Sequence, residues 1–341
     1  MRASLQSRVL PDGRLHLQEG PIDLVIEAFG AAGEVRRAYA AAARCFEDVL
    51  PGLVAELPAL CRAGLHSFEG PVARRMAAAC APHRTDFVTP MAAVAGAVAD
   101  HVLAAMTQAA TLTRAYVNDG GDIALHLTAG EIFSCGLVAE VADPRLNGRA
   151  VISAETPVRG IATSGRATLG EGGRSFSLGI ADAVTVFART AAEADVAATL
   201  IANAVDLPGH PGVQRCPARE IDPESDLGEK LVTVGMGPLS PQEIAAALAR
   251  GVDAARAMLA AGLIEAAALF LRGEAEVVEG EGLLLPGSRT LPTHTGRHPG
   301  QASLRARTGI HGRGRTPDPT MDPRVKPEDD SGVGGRSEMI R

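Results

Sequence analysis

Aromatic residues make up only 3% of this 341-residue chain, which has no tryptophan and two tyrosines. Packing must therefore rest on Ala, Val, Leu and Ile, and the stacking platforms of a nucleic-acid reader are missing. A basic excess is missing too. Thirty-three Lys and Arg against 40 Asp and Glu leave a net charge of −7, the wrong sign for following a phosphate backbone. Both absences argue against DNA or RNA as a partner. The five cysteines (Cys45, Cys61, Cys80, Cys135, Cys216) are scattered, odd in number and form no C-x-x-C pair. Neither a disulfide framework nor a zinc site is expected from them, and reduced thiols in the cytoplasm are. The opening MRASLQSRVLPDGRLHLQEG holds no apolar signal core. No run is expected to span a bilayer. The nearest is TPMAAVAGAVADHVL at 89–103, but alanine is weakly hydrophobic and Asp100 interrupts it.

What is present suits one large buried core, since 46% of residues are hydrophobic. RVL, RLHLQ and DLVIEA read as strands around the turn Pro11-Asp12-Gly13, followed by a helix in GEVRRAYAAAARCFEDVL. Residues 51–90 are mixed helix and loop. The alanine run then reads as a buried helix to about Leu112. Short β-type runs follow: TRAYV, DIALHL, EIFSCGLVAEV, RAVISA, RGIAT and DAVTVFA. A helix in ARTAAEADVAATLIANAV and a strand in KLVTVG lead to a last helix. Its start is marked by Ser240 and Glu243, a capping box, with Pro241 at the first helical position. That helix is expected to continue through GLIEAAALFL. Residues 286–341 are rich in Gly, Pro, Arg and Thr, poor in apolar residues and expected to be a disordered, non-functional tail, leaving one domain at 1–285.

Three motifs could carry chemistry besides the alanine run. NDGGDI (118–123) lies between two strands; alone, it reads as a hairpin turn. GIATSG (160–165) ends a strand in small hydroxyl residues, a turn whose N–H groups and hydroxyls can hold phosphate. In ADVAATLIAN (194–203), Asp195 and Thr199 are four apart and share a helix face. Such a pair of oxygens suits a hard cation such as Mg²⁺, or else Asp195 favours the helix N-terminus and Thr199 packs.

In this order, the phrases PMAAVAGA (90–97), NDGGDI, TSG (163–165), SFSLGIADAVTV (175–186) and ADVAATLIAN resemble those of the ApbE superfamily, the FAD:protein FMN transferases. The resemblance is closer to that superfamily's uncharacterised cytoplasmic branch. It implies an α+β, ApbE-like T-fold of antiparallel sheets packed with Ala-rich helices, and it implies FAD and Mg²⁺ as cofactors. The alanine-rich helix would then lie against the flavin nucleotide at Ala92 and Ala93, where bulk is not tolerated, and the Ala93 carbonyl would join Asp195 and Thr199 on the metal. Asn118, Gly120, Gly121, Asp122, Thr163, Ser164 and Gly165 would line the nucleotide pocket. Asp100 would cap or orient its own helix. The implied reaction is attack on the FAD pyrophosphate, with AMP leaving and FMN passing to an acceptor protein or to water.

The chain also departs from that pattern. The transferases' H-x-x-D-P-x-T-G-like segment is absent, and Arg174 stands where the uncharacterised branch keeps a histidine. Arginine binds phosphate but stays protonated near neutral pH, so Asp182 is the remaining candidate base. The expected function is therefore an Mg²⁺-dependent FAD-binding protein, acting as an FMN transferase or FAD pyrophosphatase. The alternatives are a non-catalytic flavin-binding accessory protein, and a relic that has lost metal and flavin alike.

Overall fold

Alternating apolar residues at the start of the chain form strands β1 (Gln6–Val9), β2 (Leu15–Glu19) and β3 (Ile22–Phe29). Leu15, Leu17, Leu24 and Ile26 point inward. Helices α1 (Ala32–Phe46), α2 (Val49–Leu60), α3 (Pro71–Cys80) and α4 (Val94–Ala109) follow, and a 3-10 turn, Pro90–Ala93, leads into α4. Strands β4 (Arg114–Asp119), β5 (Asp122–Leu127), β6 (Ile132–Val138), β7 (Leu146–Ser153), β8 (Gly160–Ser164) and β9 (Ala183–Ala188) precede helix α5 (Ala191–Ala204). Next come β10 (Val213–Pro217), a single turn α6 (Ala218–Ile221), β11 (Leu231–Met236), α7 (Pro241–Ala260), β12 (Ala266–Leu271) and β13 (Glu274–Glu279). Two short strands, β14 (Leu284–Pro286) and β15 (Ala302–Arg305), complete the set. The computed structural model describes residues 5–64, 66–138, 146–165, 176–280, 284–286 and 302–305. All fall within the first of two units, Met1–Gly309 and Ile310–Arg341. The rest of the tail expected at 286–341 lies outside the described residues.

Nine strands form one antiparallel sheet in the order β1-β2-β3-β4-β5-β8-β9-β12-β13. A smaller sheet runs β14-β7-β6-β15, with β15 parallel to β6, and β10 pairs with β11 as a separate ribbon. Helices cover one face of the large sheet. Under α1–α4 the buried set includes Leu17, Ile26, Phe46, Val98 and Val117. Under α5 and α7 it includes Val184, Val186, Ile201 and Leu269. On the other face Tyr116, Ile123, Phe187 and Phe270 pack with Phe133 and Ile152 of the small sheet. The α+β architecture of antiparallel sheet and Ala-rich helices is as the sequence implied.

Two expectations are corrected. The last helix stops at Ala260, where Gly262 at φ 68° sits just past the end, and AAALFL becomes β12. Every residue of β12 is buried; with both faces covered, no polar alternation marked it as a strand. Among the described residues, Pro90–Ala109 is long and apolar enough to cross a bilayer, at mean hydropathy 1.3, although no such run was expected. Half of its most apolar window is buried, and the helix packs on α1, α3, α5, β4 and β5 as a core element.

The start of α7 is as read: Ser240 Oγ accepts from the Glu243 N–H, and a Glu243 carboxylate oxygen accepts from the Ser240 N–H at 2.7 Å. Replacing Ser240 with alanine should cost about 1 kcal/mol in urea unfolding. An unchanged midpoint would show that the box contributes nothing.

Candidate functional site

The β4–β5 connection is a two-residue turn. Gly120 and Gly121 have φ 63° and 124°, values that favour glycine, and they let Asp119 and Asp122 face each other across the hairpin. The Gly121 N–H donates to Asn118 Oδ1 at 2.8 Å, which fixes the turn. Strands β5 and β8 pair only at Ile123–Ile161 and Ala124–Gly160. Beyond these pairs the Thr163 N–H turns to Asp122 Oδ1 at 3.2 Å, and Thr163 Oγ1 meets Thr185 Oγ1 at 2.9 Å. Gly165 follows at φ 128°, where an added Cβ would lie 2.9 Å from the Asp182 carbonyl. The N-D-G-G-D and T-S-G phrases therefore meet at one end of the large sheet.

Helices α4 and α5 close that end, each capped by a carboxylate of the other. Asp195 Oδ2 on α5 accepts the Gly96 N–H in the first turn of α4 at 3.1 Å. Asp100 on α4 accepts the Ala191 and Ala192 N–H groups of α5 at 3.1 and 3.0 Å. Both carboxylates thus lie where the helix dipole favours negative charge. Asp100, expected to serve its own helix, instead caps the neighbouring one, because α4 and α5 cross closely enough to exchange caps. The close approach explains the small residues: a Cβ on Gly96 would sit 2.3 Å from the Ala191 carbonyl oxygen. His101, next to Asp100 on α4, is half-buried.

Burial raises the pKa of Asp195, Asp122, Asp119 and Asp100, and for the first three neighbouring carboxylates raise it further. Asp195 is held well above the ordinary carboxylate range by burial first and by the charge of Asp122 second, against the pull of the Gly96 and Ala95 amides. Asp122 is pushed up to about 8 by burial and then by Asp119. Asp119, only 7% exposed, is raised by burial first; the Asp23 N–H opposes this, and Asp195 and Asp23 add to it. Asp100 is raised to about 6, by burial above all. Such a group of buried like charges is costly without a cation. Asp119 and the role of Asp100 were not read from the sequence. For Asp119 the signal was there, an aspartate at each end of the glycine pair.

Thr199 follows Asp195 by one turn of α5, and Ala93 is fully buried where the 3-10 turn hands over to α4. One carboxylate, one hydroxyl and one backbone carbonyl make a hard-oxygen set that fits Mg²⁺. Among the described residues, no three His, Cys, Asp or Glu side chains are placed to hold a metal; the set of Asp195, Thr199 and the Ala93 carbonyl has a single side-chain carboxylate. Ser164 ends β8 half-buried. Asp182 is engaged elsewhere: its carboxylate accepts the Arg272 N–H, and its own N–H donates to the Phe270 carbonyl at 2.9 Å. It thereby steadies Arg272, a non-glycine residue at φ 52°. Arg174 lies outside the described residues. Asn203, the last residue of the α5 phrase, accepts the Leu178 N–H at 2.9 Å, which ties that phrase to the one before β9.

A family model described as AbpE bacteria matches residues 7–277. A UPF0280 protein of Methanopyrus kandleri is 42% identical over 132 residues, 39% of this chain and 48% of the relative. A UPF0280 protein of Methanoregula boonei is 34% identical over 160 residues, 44% and 61% of the two chains. One from Methanothrix thermoacetophila is 37% identical over 135 residues, 40% and 52%. The chain thus spans about half the length of these curated relatives. A solved mutant of the flavin transferase ApbE from Vibrio cholerae aligns with 82% of this chain and 98% of its own, at 12% identity and a TM-score of 0.41. With most of its length matched by the family model, the chain belongs to the AbpE bacteria family, within the ApbE-like superfamily.

Proposed function

We propose that this protein binds a flavin nucleotide, FAD, together with Mg²⁺. The observation that carries this reading is the meeting of Asp195 with Asp122 and Asp119, buried carboxyls that raise one another's pKa and lie beside the amides at the start of α4. Asp195, Thr199 and the Ala93 carbonyl would hold the metal, and Asn118, Gly120, Gly121, Asp122 and Thr163–Gly165 would form the nucleotide pocket. Mg²⁺ would supply charge neutralisation to the pyrophosphate. The chain's own contribution is orientation. The glycine turn at 120–121 would let backbone approach a phosphate, and the small side chains of Ala92 and Ala93 at the approach to α4 would keep bulk away from the dinucleotide. The five free cysteines suit the reducing cytoplasm that belongs to this reading.

Two activities fit this site. One is transfer of FMN to an acceptor protein or to water with release of AMP. The other is binding alone, in the service of cofactor or redox-enzyme assembly, and the engagement of Asp182 by the Arg272 amide favours it. A fluorescence titration of the full chain with FAD, with and without Mg²⁺, tests the common part. Binding should need Mg²⁺; binding of equal strength without it would refute the proposed site. AMP release from FAD then separates transfer from binding.

A further inference from the structure

Thr89 stands at the N-cap of the Pro90–Ala93 turn, where a threonine hydroxyl usually accepts an N–H of the turn it begins. Here it makes no such bond. Thr89, only 3% exposed, instead donates its hydroxyl to the Asp226 carboxylate, 137 residues further along the chain. The Thr89 carbonyl is used locally, accepting the Ala92 N–H at 3.1 Å and the Cys80 thiol at 3.5 Å. The side chain is thus drawn out of the turn while the backbone holds it in shape.

Asp226 belongs to a strap, residues 218–230, that joins β10 to β11. The strap is closed on itself by bonds from the Ala218 N–H to the Lys230 carbonyl at 2.9 Å and from the Arg219 N–H to the Gly228 carbonyl at 3.0 Å. An Arg219–Glu229 ion pair joins the same ends. It meets the approach to the turn at a second point, where Lys230 Nζ lies 4.2 Å from the centre of the Phe87 ring. A self-closed strap with two ties on residues 87–89 can hold the turn that delivers Ala92 and Ala93.

We propose that Asp226 is a positioning residue for the candidate site. By taking the Thr89 hydroxyl it fixes the start of the 90–93 turn, which carries Ala92 and Ala93. This rests on the proposed binding of FAD and Mg²⁺. The test measures FAD affinity at saturating Mg²⁺ for the full chain and for Asp226→Ala, Thr89→Val, their double variant and Asp226→Asn, with melting temperatures alongside. Asp226→Ala and Thr89→Val should each weaken binding by about tenfold, the size of a lost hydrogen bond to a charged group. The double variant should be no weaker than either, and Asp226→Asn, whose amide oxygen still accepts, should recover most of the affinity. Lower melting temperatures with unchanged affinity would overturn the inference, as would additive losses or no recovery with asparagine. Should Asp226→Ala not fold, Thr89→Val and Asp226→Asn carry the same comparison. Absence of FAD binding in the unaltered protein would instead refute the functional reading on which this one rests.

Discussion

Replacing Asp195 with alanine should reduce Mg²⁺-dependent FAD affinity by about a hundredfold or more, the effect of removing a ligand to a hard cation together with the charge that attracts it. The same site predicts a contrary effect on stability without metal. Asp195→Asn keeps an oxygen for the Gly96 N–H but removes one of the crowded buried charges, so the metal-free variant should melt higher than the parent at pH 8. The sign follows from the raised values. A carboxyl whose folded pKa lies above its unfolded value stabilises below the unfolded pKa, about 4, and that stability drains away as pH rises through the folded value. Asp100 at about 6 should by itself cost the metal-free protein about 2–3 kcal/mol between pH 4 and pH 8, and Asp122, also raised, adds to the loss in the same direction. Mg²⁺ should flatten that slope, and Asp195→Asn should reduce it. Urea unfolding at both pH values, with EDTA or Mg²⁺, reads all three. A metal-free protein that is more stable at pH 8 would show that the carboxyls are not crowded as described.

Gly160→Ala should be the most destabilising small substitution in the chain. A Cβ at Gly160 would lie 2.0 Å from both the carbonyl carbon and oxygen of Thr190 and 2.3 Å from the Ala191 nitrogen. These are backbone atoms at the start of α5, so no rotamer change can relieve the clash. Strand β8 and the N-terminus of α5 would have to separate, breaking the Asp100 cap and shifting Asp195 with the helix. The expected loss is at least about 3 kcal/mol, with FAD affinity falling as well. Gly33→Ala in the first turn of α1, where an added Cβ meets nothing within 4 Å, serves as control and should stay within about 1 kcal/mol of the parent. A Gly160→Ala protein as stable as that control would mean the helix does not rest on β8 as closely as described.

Much of this organisation was legible because local chemistry announced it. The Asn-Asp-Gly-Gly-Asp turn, the Ser240 box and the helix spacing of Asp195 and Thr199 each depend on neighbours within a few residues. What was not legible depends on distant partners. Gly160 and Gly96 are small because of Thr190 and Ala191, and Asp100 is a hydrogen-bond acceptor because another helix begins beside it. Asp226 gives no local sign of meeting Thr89. Strand β12 was misread for a related reason: three alanines favour helix, and only the strands on either side, β9 and β13, decide otherwise.

The exchange of caps between α4 and α5 gives Asp195 two employers. One is the cation it would bind, and the other is the first turn of the helix opposite. A lineage could therefore give up the chemistry and still retain this aspartate, since discarding it would loosen the helix pair. The aspartate in a relative's sequence testifies first to two crossed helices. Thr199, with no such second duty among the described residues, is the residue free to drift once the metal is gone, so its loss beside a surviving Asp195 would mark the members that have fallen silent.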